Sequence, residues 1–562
     1  MNILIGGAAG QGMETIAHLL GKALARAGFG VLAAKDYMSR VRGGHNFTYL
    51  RIAAETPWMA ENSTQLLVAL NEETYNLHSQ SLTENGKIIY DPDLFSIPAN
   101  GGNLVPLPLA SLSTKAGSKI MANTVAVGAV LALLSQDTSL VETLLLETFS
   151  PELAAQNITA LHAGYSAAAK YCDGCFNLPR SRKTGSQLYL DGNQALGMSA
   201  LASGCRFLAA YPMTPATGIM SYLAAKQESH GVVVEQAEDE IAAINMALGA
   251  AFSGARALTC TSGGGFSLMV EGVSLAGMTE TPLVIIMAMR PGPATGLPTR
   301  TEQGDLEFAL HAGHGEFPRA VLAATHIEDA FYRLNKAFDL AEKYQIPVIF
   351  LSDQHFADTA RTVPPFDFDK LYYDRHLVTP ETLVKPYQRY RHTASGISPR
   401  ALPGQFPNET VLADSDEHDE DGHIIEDAET RRRMTEKRLR KLESLAQEMA
   451  EPNILGDQSG ELLLIGWGST YGALREAYAI LKNKQIRVTL LHFADLWPLP
   501  TTTIKTLFPQ FKHKICVENN ATGQFAALLR RETGLVADKE ILKFDGRPFL
   551  ASEIVSEVER HV

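Results

Sequence analysis

Strand-sized apolar runs alternate with helical spacing along most of this chain, and that alternation constrains the fold more than any single motif. The opening run NILIGG passes through a glycine turn into ETIAHLLGKALARAGF, whose apolar residues recur at helical intervals. VLAAKDY, FTYLRIA, QLLVAL and KIIYD then read as strands. A second series, RFLAAYP, VVVEQA, RALTCTS, PLVIIMAM and IPVIFLSD, is separated by helical stretches, and a third comprises ELLLIGWGS, RVTLLHFAD and HKICVEN. Strands alternating with helices predict mostly parallel sheets, so the expected fold class is α/β, as three doubly wound units. The expected boundaries are 1–175, 188–362 and 458–562. Residues 171–187 (YCDGCFNLPRSRKTGSQ) read as a connector, and residues 363–457 as a solvated, charged excursion ending in a surface helix.

Composition narrows the functional classes. A chain of 562 residues has length for several cores. Its net charge of -13 disfavours nucleic acid or an anionic membrane as partner. The apolar run at 121–134 is too short to span a bilayer and predicts a buried helix. The first residues carry no secretory pattern, and the five cysteines (Cys172, Cys175, Cys205, Cys260, Cys516) are too few and scattered for a disulfide framework, which predicts a cytoplasmic protein. A four-thiolate iron–sulfur cluster cannot be built from a single C-x-x-C pair. Cys172 and Cys175 are half a zinc site, a redox pair or inert, and the inert reading is preferred.

Several loops carry chemistry. GGAAGQG, with Gly7, Gly10 and Gly12, follows a strand and opens a helix, so its amides suit an anion. The alternative is a tight turn without ligand. SRVRGGHN places Arg40 and Arg42 beside two glycines and a histidine, a second candidate anion site. In the second series, YPMTP presents Thr214 at a strand end between two prolines. The segment EQAEDEIAAINMALGAAFSGARALTCTSGGGFSLM then sets Glu240 at the start of a small-residue helix, with Glu235 and Glu238 as rivals.

YPMTP, that long segment, RPGPATGLPTRTEQGDL and HGEFPR together resemble the alpha subunit of 2-oxoacid:ferredoxin oxidoreductases. EHDEDGHIIEDAETRRRMTEKRLRK and VENNATGQF are similar to that subunit's later segments, and GGAAGQGMETIAHLL through RVRGGHNF resembles the family's gamma subunit, here fused ahead of it. The resemblance covers essentially the whole chain. It implies a gamma-type domain, a thiamine-diphosphate pyrimidine-binding domain and a transketolase C-terminal-like domain. It also implies that Glu240 hydrogen-bonds the aminopyrimidine ring nitrogen and that Thr214 touches cofactor or substrate. Tyr211, Pro212, Ser262 and Gly263 would line the cofactor, and Arg290 or Arg300 would bind the substrate carboxylate through an arginine fork.

The diphosphate grip of such enzymes is marked by a GDG triplet, which this chain does not contain. The divalent metal (Mg²⁺) and a [4Fe-4S] cluster are therefore expected in a beta subunit, with thiamine diphosphate shared between the two chains and no metal held by this one. The expected reaction is coenzyme A-dependent oxidative decarboxylation of a 2-oxoacid with electrons passed to ferredoxin. 2-Oxoglutarate is favoured, with pyruvate and branched-chain acids open; the rival is a non-catalytic nucleotide-binding or interaction protein. The acidic run at 417–423 reads as a solvated face rather than a metal site, and VENNATGQF as structural.

Overall fold

The computed structural model describes residues 1–39, 43–98, 103–172, 174–178 and 187–562. The chain parts into Met1–Asp191 with Asp358–Phe366, and Gly192–Ala357 with Asp367–Val562.

The first unit has one eight-stranded sheet, in the order Leu104–Pro106, Leu82–Tyr90, Thr64–Ala69, Asn2–Ala9, Gly43–Ala53, Gly30–Asp36, Ala360–Val363, Leu188–Asp191. The first four strands pair in parallel and the rest antiparallel, so the sheet is mixed rather than mostly parallel. The reason is the short connection after Asp36: a parallel return needs a crossover of about a dozen residues or more. Gly30–Asp36 and Gly43–Ala53 therefore pair antiparallel. Two segments expected to open and close the second block, 188–191 and 360–363, complete this sheet instead. The apolar run forms the helix Ala122–Leu133, buried from Thr124 onward. It crosses the helix Pro151–Ala168 at Gly128 and Gly164, where an added Cβ would stand 2.0 Å from Leu161 O or Val125 O. Only glycine permits that approach.

The cysteine reading needs correction here. Cys172 and Cys175 are joined by a disulfide, with Cα atoms 5.5 Å apart, whereas Cys205, Cys260 and Cys516 are free and buried. The backbone turns there because Phe176 N donates to Leu133 O and Phe176 and Leu178 pack on the core.

The second unit holds two sheets. The seven-stranded one runs Asp495–Trp497, Ala320–Ala323, Pro347–Asp353, Leu283–Met289, Ala257–Thr261, Phe207–Ala210, Val233–Gln236, all parallel except the first. Its central strands are buried at every residue, as parallel strands covered on both faces are. The five-stranded sheet runs Asn453–Leu455, Val488–Phe493, Gly460–Trp467, Phe511–Glu518, Lys539–Leu542, parallel except its first strand. One core serves both sheets, with Met287 and Ile349 in the same cluster as Ile465, Trp467 and Phe525.

The charged excursion is not simply solvated. Its helix Ala428–Glu448 buries Met434, Lys437, Arg438, Lys441 and Leu445. Lys437 and Lys441 reach Glu280 at 2.6 and 2.5 Å, all three fully enclosed, and Arg389 donates to Glu280 O. Burial alone would raise the Glu280 pKa; the two ammonium groups reverse that and hold it far below the carboxylate range. In the acidic run, Glu417 pairs with Arg438 at 2.8 Å, and Asp419 accepts from the backbone of Asp421 and His423. Glu417 is thus held in ion pairs and Asp419 in the run's own turn.

Candidate active site

Phe207–Ala210, Ala257–Thr261 and Leu283–Met289 are neighbours in the seven-stranded sheet, and their carboxyl ends point the same way. Such strand ends are where α/β sheets present ligand sites. The segments leaving them carry YPMTP, Ser262–Gly263 and Arg290. The edge strand Val233–Gln236 adds the turn leading to Glu240.

Glu240 opens the helix Glu240–Phe252, but capping falls to Asp239, whose Oδ1 accepts from Ala242 N at 2.7 Å. The Glu240 side chain therefore turns inward. It is 3% exposed, and its Oε1 is buried with no hydrogen-bond partner. An added Cβ at Gly265 would meet Thr261 Oγ1 at 2.1 Å and Glu240 Oε1 at 2.5 Å. Glycine at the start of the helix Gly263–Met278 is what lets the carboxyl in. Glu235 and Glu238 are exposed, so burial singles out Glu240 among the three.

Arg290 donates from Nη1 to Thr214 O at 2.7 Å, tying the strand end to the YPMTP loop. Burial lowers the arginine's pKa, and Asp305 acts against that shift. Thr214 and Pro212 are half-buried, Tyr211 is 40% exposed, and Ser262 Oγ donates to Met213 Sδ at 2.6 Å. Arg300 goes elsewhere: its Cβ lies beside Gly546 and its Nη1 donates to Thr299 O. Contacts thus join Arg290 to Thr214 and Ser262 to Met213 of the same loop, and set Glu240 against Gly265, whereas Arg300 contacts Gly546 and Thr299.

Sequence reasoning missed Asp305. Its carboxylate lies over Gly263, where an added Cβ would stand 2.5 Å from Oδ2. Burial raises its pKa to about 6, with Arg290 pulling the other way. The loop bearing it is held from the second sheet of the same unit. Gln303 donates from N to Asn519 O at 2.7 Å and from Nε2 to Trp467 O at 2.9 Å, and accepts from Asn519 N at 3.0 Å. This gives VENNATGQF its work: Asn519 clamps the loop, and Glu518 accepts from Phe525 N, Ala526 N and Asn520 Nδ2. The acid within TEQGDL and the triple glycine at 263–265 were the available signals.

In the first unit, the glycine turn is partly closed on itself, since Ala8 N donates to Gln11 Oε1 at 2.7 Å. Gly10 has φ +91° with open space around it, and Gly12, φ +82°, precedes the helix Met13–Arg26 without a side-chain cap. Gly7 packs against Gln11 and Leu70. His45 and His78 meet through their Nε2 atoms at 2.8 Å; burial, then His45, lowers the His78 pKa to about 4. Arg40 and Arg42 lie outside the described residues. In the second unit a cleft of about 920 Å³ is lined by Tyr332, Arg333, Lys336 and Tyr372. Arg333 and Lys336 there are already paired with Asp495, which leaves the cleft no spare cation from those two.

Glu240, Arg290 and the glycine-opened helix start follow the ends of parallel strands, within a segment whose family match gives the class, the thiamine-diphosphate-binding oxidoreductases. The family described as pyruvate flavodoxin/ferredoxin oxidoreductase, thiamine diphosphate-binding, matches residues 198–437, and that described as pyruvate ferredoxin/flavodoxin oxidoreductase matches residues 2–167. A 2-oxoacid:ferredoxin oxidoreductase subunit alpha from a Sulfolobus species is 35% identical over 98% of this chain and 95% of its own length. The 2-oxoglutarate oxidoreductase subunit KorA of Mycobacterium tuberculosis is 31% identical over 98% and 90%. The structure of 2-oxoglutarate:ferredoxin oxidoreductase from Magnetococcus marinus, with 2-oxoglutarate, coenzyme A and succinyl-CoA bound, superposes at TM-score 0.92. It is 30% identical and covers 100% of this chain and 99% of that one. The chain belongs to the 2-oxoacid:ferredoxin oxidoreductase family, as an alpha subunit with the gamma-type segment fused ahead. Among the described residues, no helix is long and apolar enough to cross a membrane.

Proposed function

We propose that this chain supplies the pyrimidine-binding half of a thiamine-diphosphate site that converts a 2-oxoacid, 2-oxoglutarate in the first instance, and coenzyme A into acyl-CoA and carbon dioxide. Two electrons leave for ferredoxin and one proton is released. The observation that carries the reading is the buried, unpartnered Glu240 Oε1, enclosed at Gly265 and Thr261. A buried polar atom without a partner is costly, so its persistence here fits a group awaiting the aminopyrimidine nitrogen.

Thiamine diphosphate, when bound, supplies the carbanion chemistry that breaks the C1–C2 bond of the 2-oxoacid. Glu240 would hold a proton at its carboxyl for the ring nitrogen, and Thr261 and Gly265 fix where that carboxyl sits. Arg290, with one Nη1 hydrogen bond committed to Thr214 O, would offer its remaining donors to the C1 carboxylate. Tyr211, Pro212, Thr214, Ser262 and Gly263 would wall the cofactor and the reacting carbons. The preference for 2-oxoglutarate is supported by the names of the Mycobacterium tuberculosis and Magnetococcus marinus proteins. A beta subunit would bring the diphosphate grip, Mg²⁺ and the [4Fe-4S] cluster. Coenzyme A would find anion-binding amides at Gly7, Gly10 and Gly12, with Arg40 and Arg42 nearby in sequence.

The test is co-purification of the chain with its partner, then measurement of coenzyme A-dependent dye or ferredoxin reduction with 2-oxoglutarate, pyruvate and a branched-chain 2-oxoacid. The expected result is reduction only in the assembled complex, fastest with 2-oxoglutarate. Full activity of this chain alone would refute the division of labour, and preference for another acid would refute the substrate.

A further inference from the structure

Asp305 stands where a helix-capping residue stands, directly before the helix Leu306–His311, yet its side chain makes no cap hydrogen bond to that helix. Asp is among the residues that favour that role, so the carboxylate has been drawn off by something else. Its oxygens lie over Gly263 instead, at 2.5 and 3.0 Å from where a Cβ there would be. Gly263 has no positive φ to explain it, so the glycine is needed for space. The Gln303–Asn519 clamp fixes the loop two residues upstream, so the position is enforced from the second sheet.

The electrostatics around Asp305 are unusual. The charged groups acting on it among the described residues are Arg290 at the neighbouring strand end and Glu302 on its own loop. Among the described residues Arg290 is its compensating charge, yet the two do not close into a contact ion pair; Arg290 Nη1 donates to Thr214 O instead. Both side chains are half-buried, and a carboxylate and an arginine there gain most by direct bidentate contact. Holding them apart leaves an arginine whose charge is only loosely answered, a state that suits an incoming anion. Burial has already brought Asp305 close to losing its charge, at about 6.

We propose that Asp305 is a positioning residue for Arg290: it balances the guanidinium while the site is empty and takes up a proton when a 2-oxoacid carboxylate docks there. The inference rests on the function proposed above. An anion on Arg290 removes the attraction that keeps Asp305 ionised and adds repulsion, so the bound state holds the proton more tightly than the free state. By linkage, affinity for the 2-oxoacid falls as pH rises above the free-state value of Asp305, by up to about tenfold per pH unit for one proton. Raising the acidity reverses this, until Asp305 is protonated in both states.

The experiment uses the assembled holoenzyme at pH 6 to 8. Steady-state KM and kcat for 2-oxoglutarate are measured for the parent, Asp305→Asn and Asp305→Glu. Calorimetry with oxamate, an unreactive carboxylate–carbonyl mimic of the 2-oxoacid head, counts protons taken up in buffers of different ionisation enthalpy. The parent and Asp305→Glu are expected to show KM rising several-fold across this range, with kcat less affected, and proton uptake on oxamate binding. Asp305→Asn is expected to show a flat KM, below the parent's at pH 8, and reduced uptake. Parallel KM profiles for the parent and Asp305→Asn overturn the proposal. If Asp305→Asn fails to assemble, the parent decides alone: oxamate binding without proton uptake overturns it. A parent that responds to neither 2-oxoglutarate nor oxamate overturns the functional reading as well, whereas turnover or binding without linkage overturns only Asp305.

Discussion

Replacing Glu240 with Gln is expected to move stability and activity in opposite directions. The carboxyl is 3% exposed and its Oε1 has no partner, walled by Thr261 and Gly265. An unsatisfied buried polar group costs about 1–3 kcal/mol, more when charged. Gln keeps the volume and cannot carry a charge, so recovery of about 1 kcal/mol is expected in the chain without cofactor. In a unit of this size that corresponds to a rise of about 1–2 °C in melting temperature. Turnover in the assembled enzyme should fall by about 10²- to 10⁴-fold, the range for losing general acid–base help. At about 1.4 kcal/mol per tenfold, that is about 3–5.5 kcal/mol of barrier. Two assays read this: thermal unfolding of the isolated chain, and deuterium exchange at the cofactor C2 in the complex. The exposed Glu235→Gln and Glu238→Gln serve as controls and should change neither. Parent-like C2 exchange in Glu240→Gln would refute the role, and a lower melting temperature would mean that Oε1 has a partner in the free chain.

Removing the one carboxylate of the buried Glu280–Lys437–Lys441 cluster, as in Glu280→Gln, should cost about 3–5 kcal/mol, because two enclosed ammonium groups are left without their counter-charge. Denaturant unfolding checks this, and a loss below about 1 kcal/mol would reduce the cluster to a spectator. His78 is held largely neutral by burial, with a folded pKa of about 4 below its ordinary value. Its contribution is therefore present above about pH 6.5 and is lost as pH falls toward 4. The melting temperature should drop over that window, and His78→Phe should shrink the drop; an unchanged drop would place its cause elsewhere. Alkylation under non-reducing native conditions should label none of the five cysteines, and reduction should expose Cys172 and Cys175 first. Labelling of that pair before reduction would contradict the disulfide.

How much of this was legible beforehand depends on whether the information is local. Parallel strands buried on both faces show as unbroken apolar runs, so RALTCTS, PLVIIMAM and IPVIFLSD announce the central sheet directly. Motif order likewise leads to Glu240 and to Thr214, because a strand end followed by a helix start is a property of a few adjacent residues. Pairing partners are not local. Nothing in residues 360–363 shows that they enter the first sheet antiparallel to 188–191, since a four-residue strand carries almost no register information of its own. The same holds for charge. Lys437 and Lys441 read as a solvated helix face, and only the approach of Glu280, more than 150 residues away in the chain, makes their burial tolerable.

The division within the candidate site follows the same line. Sequence determined which side chains arrive at the carboxyl ends of the strands. Tertiary structure decided which of them face one another: Arg290 rather than Arg300 on the Thr214 carbonyl, Glu240 rather than Glu235 or Glu238 turned inward, and Asp305 over Gly263. The physical reason is that an ionisable group's behaviour depends on the charges and the solvent within a few ångströms of it, and those neighbours come from strands, loops and glycine gaps dispersed along the chain.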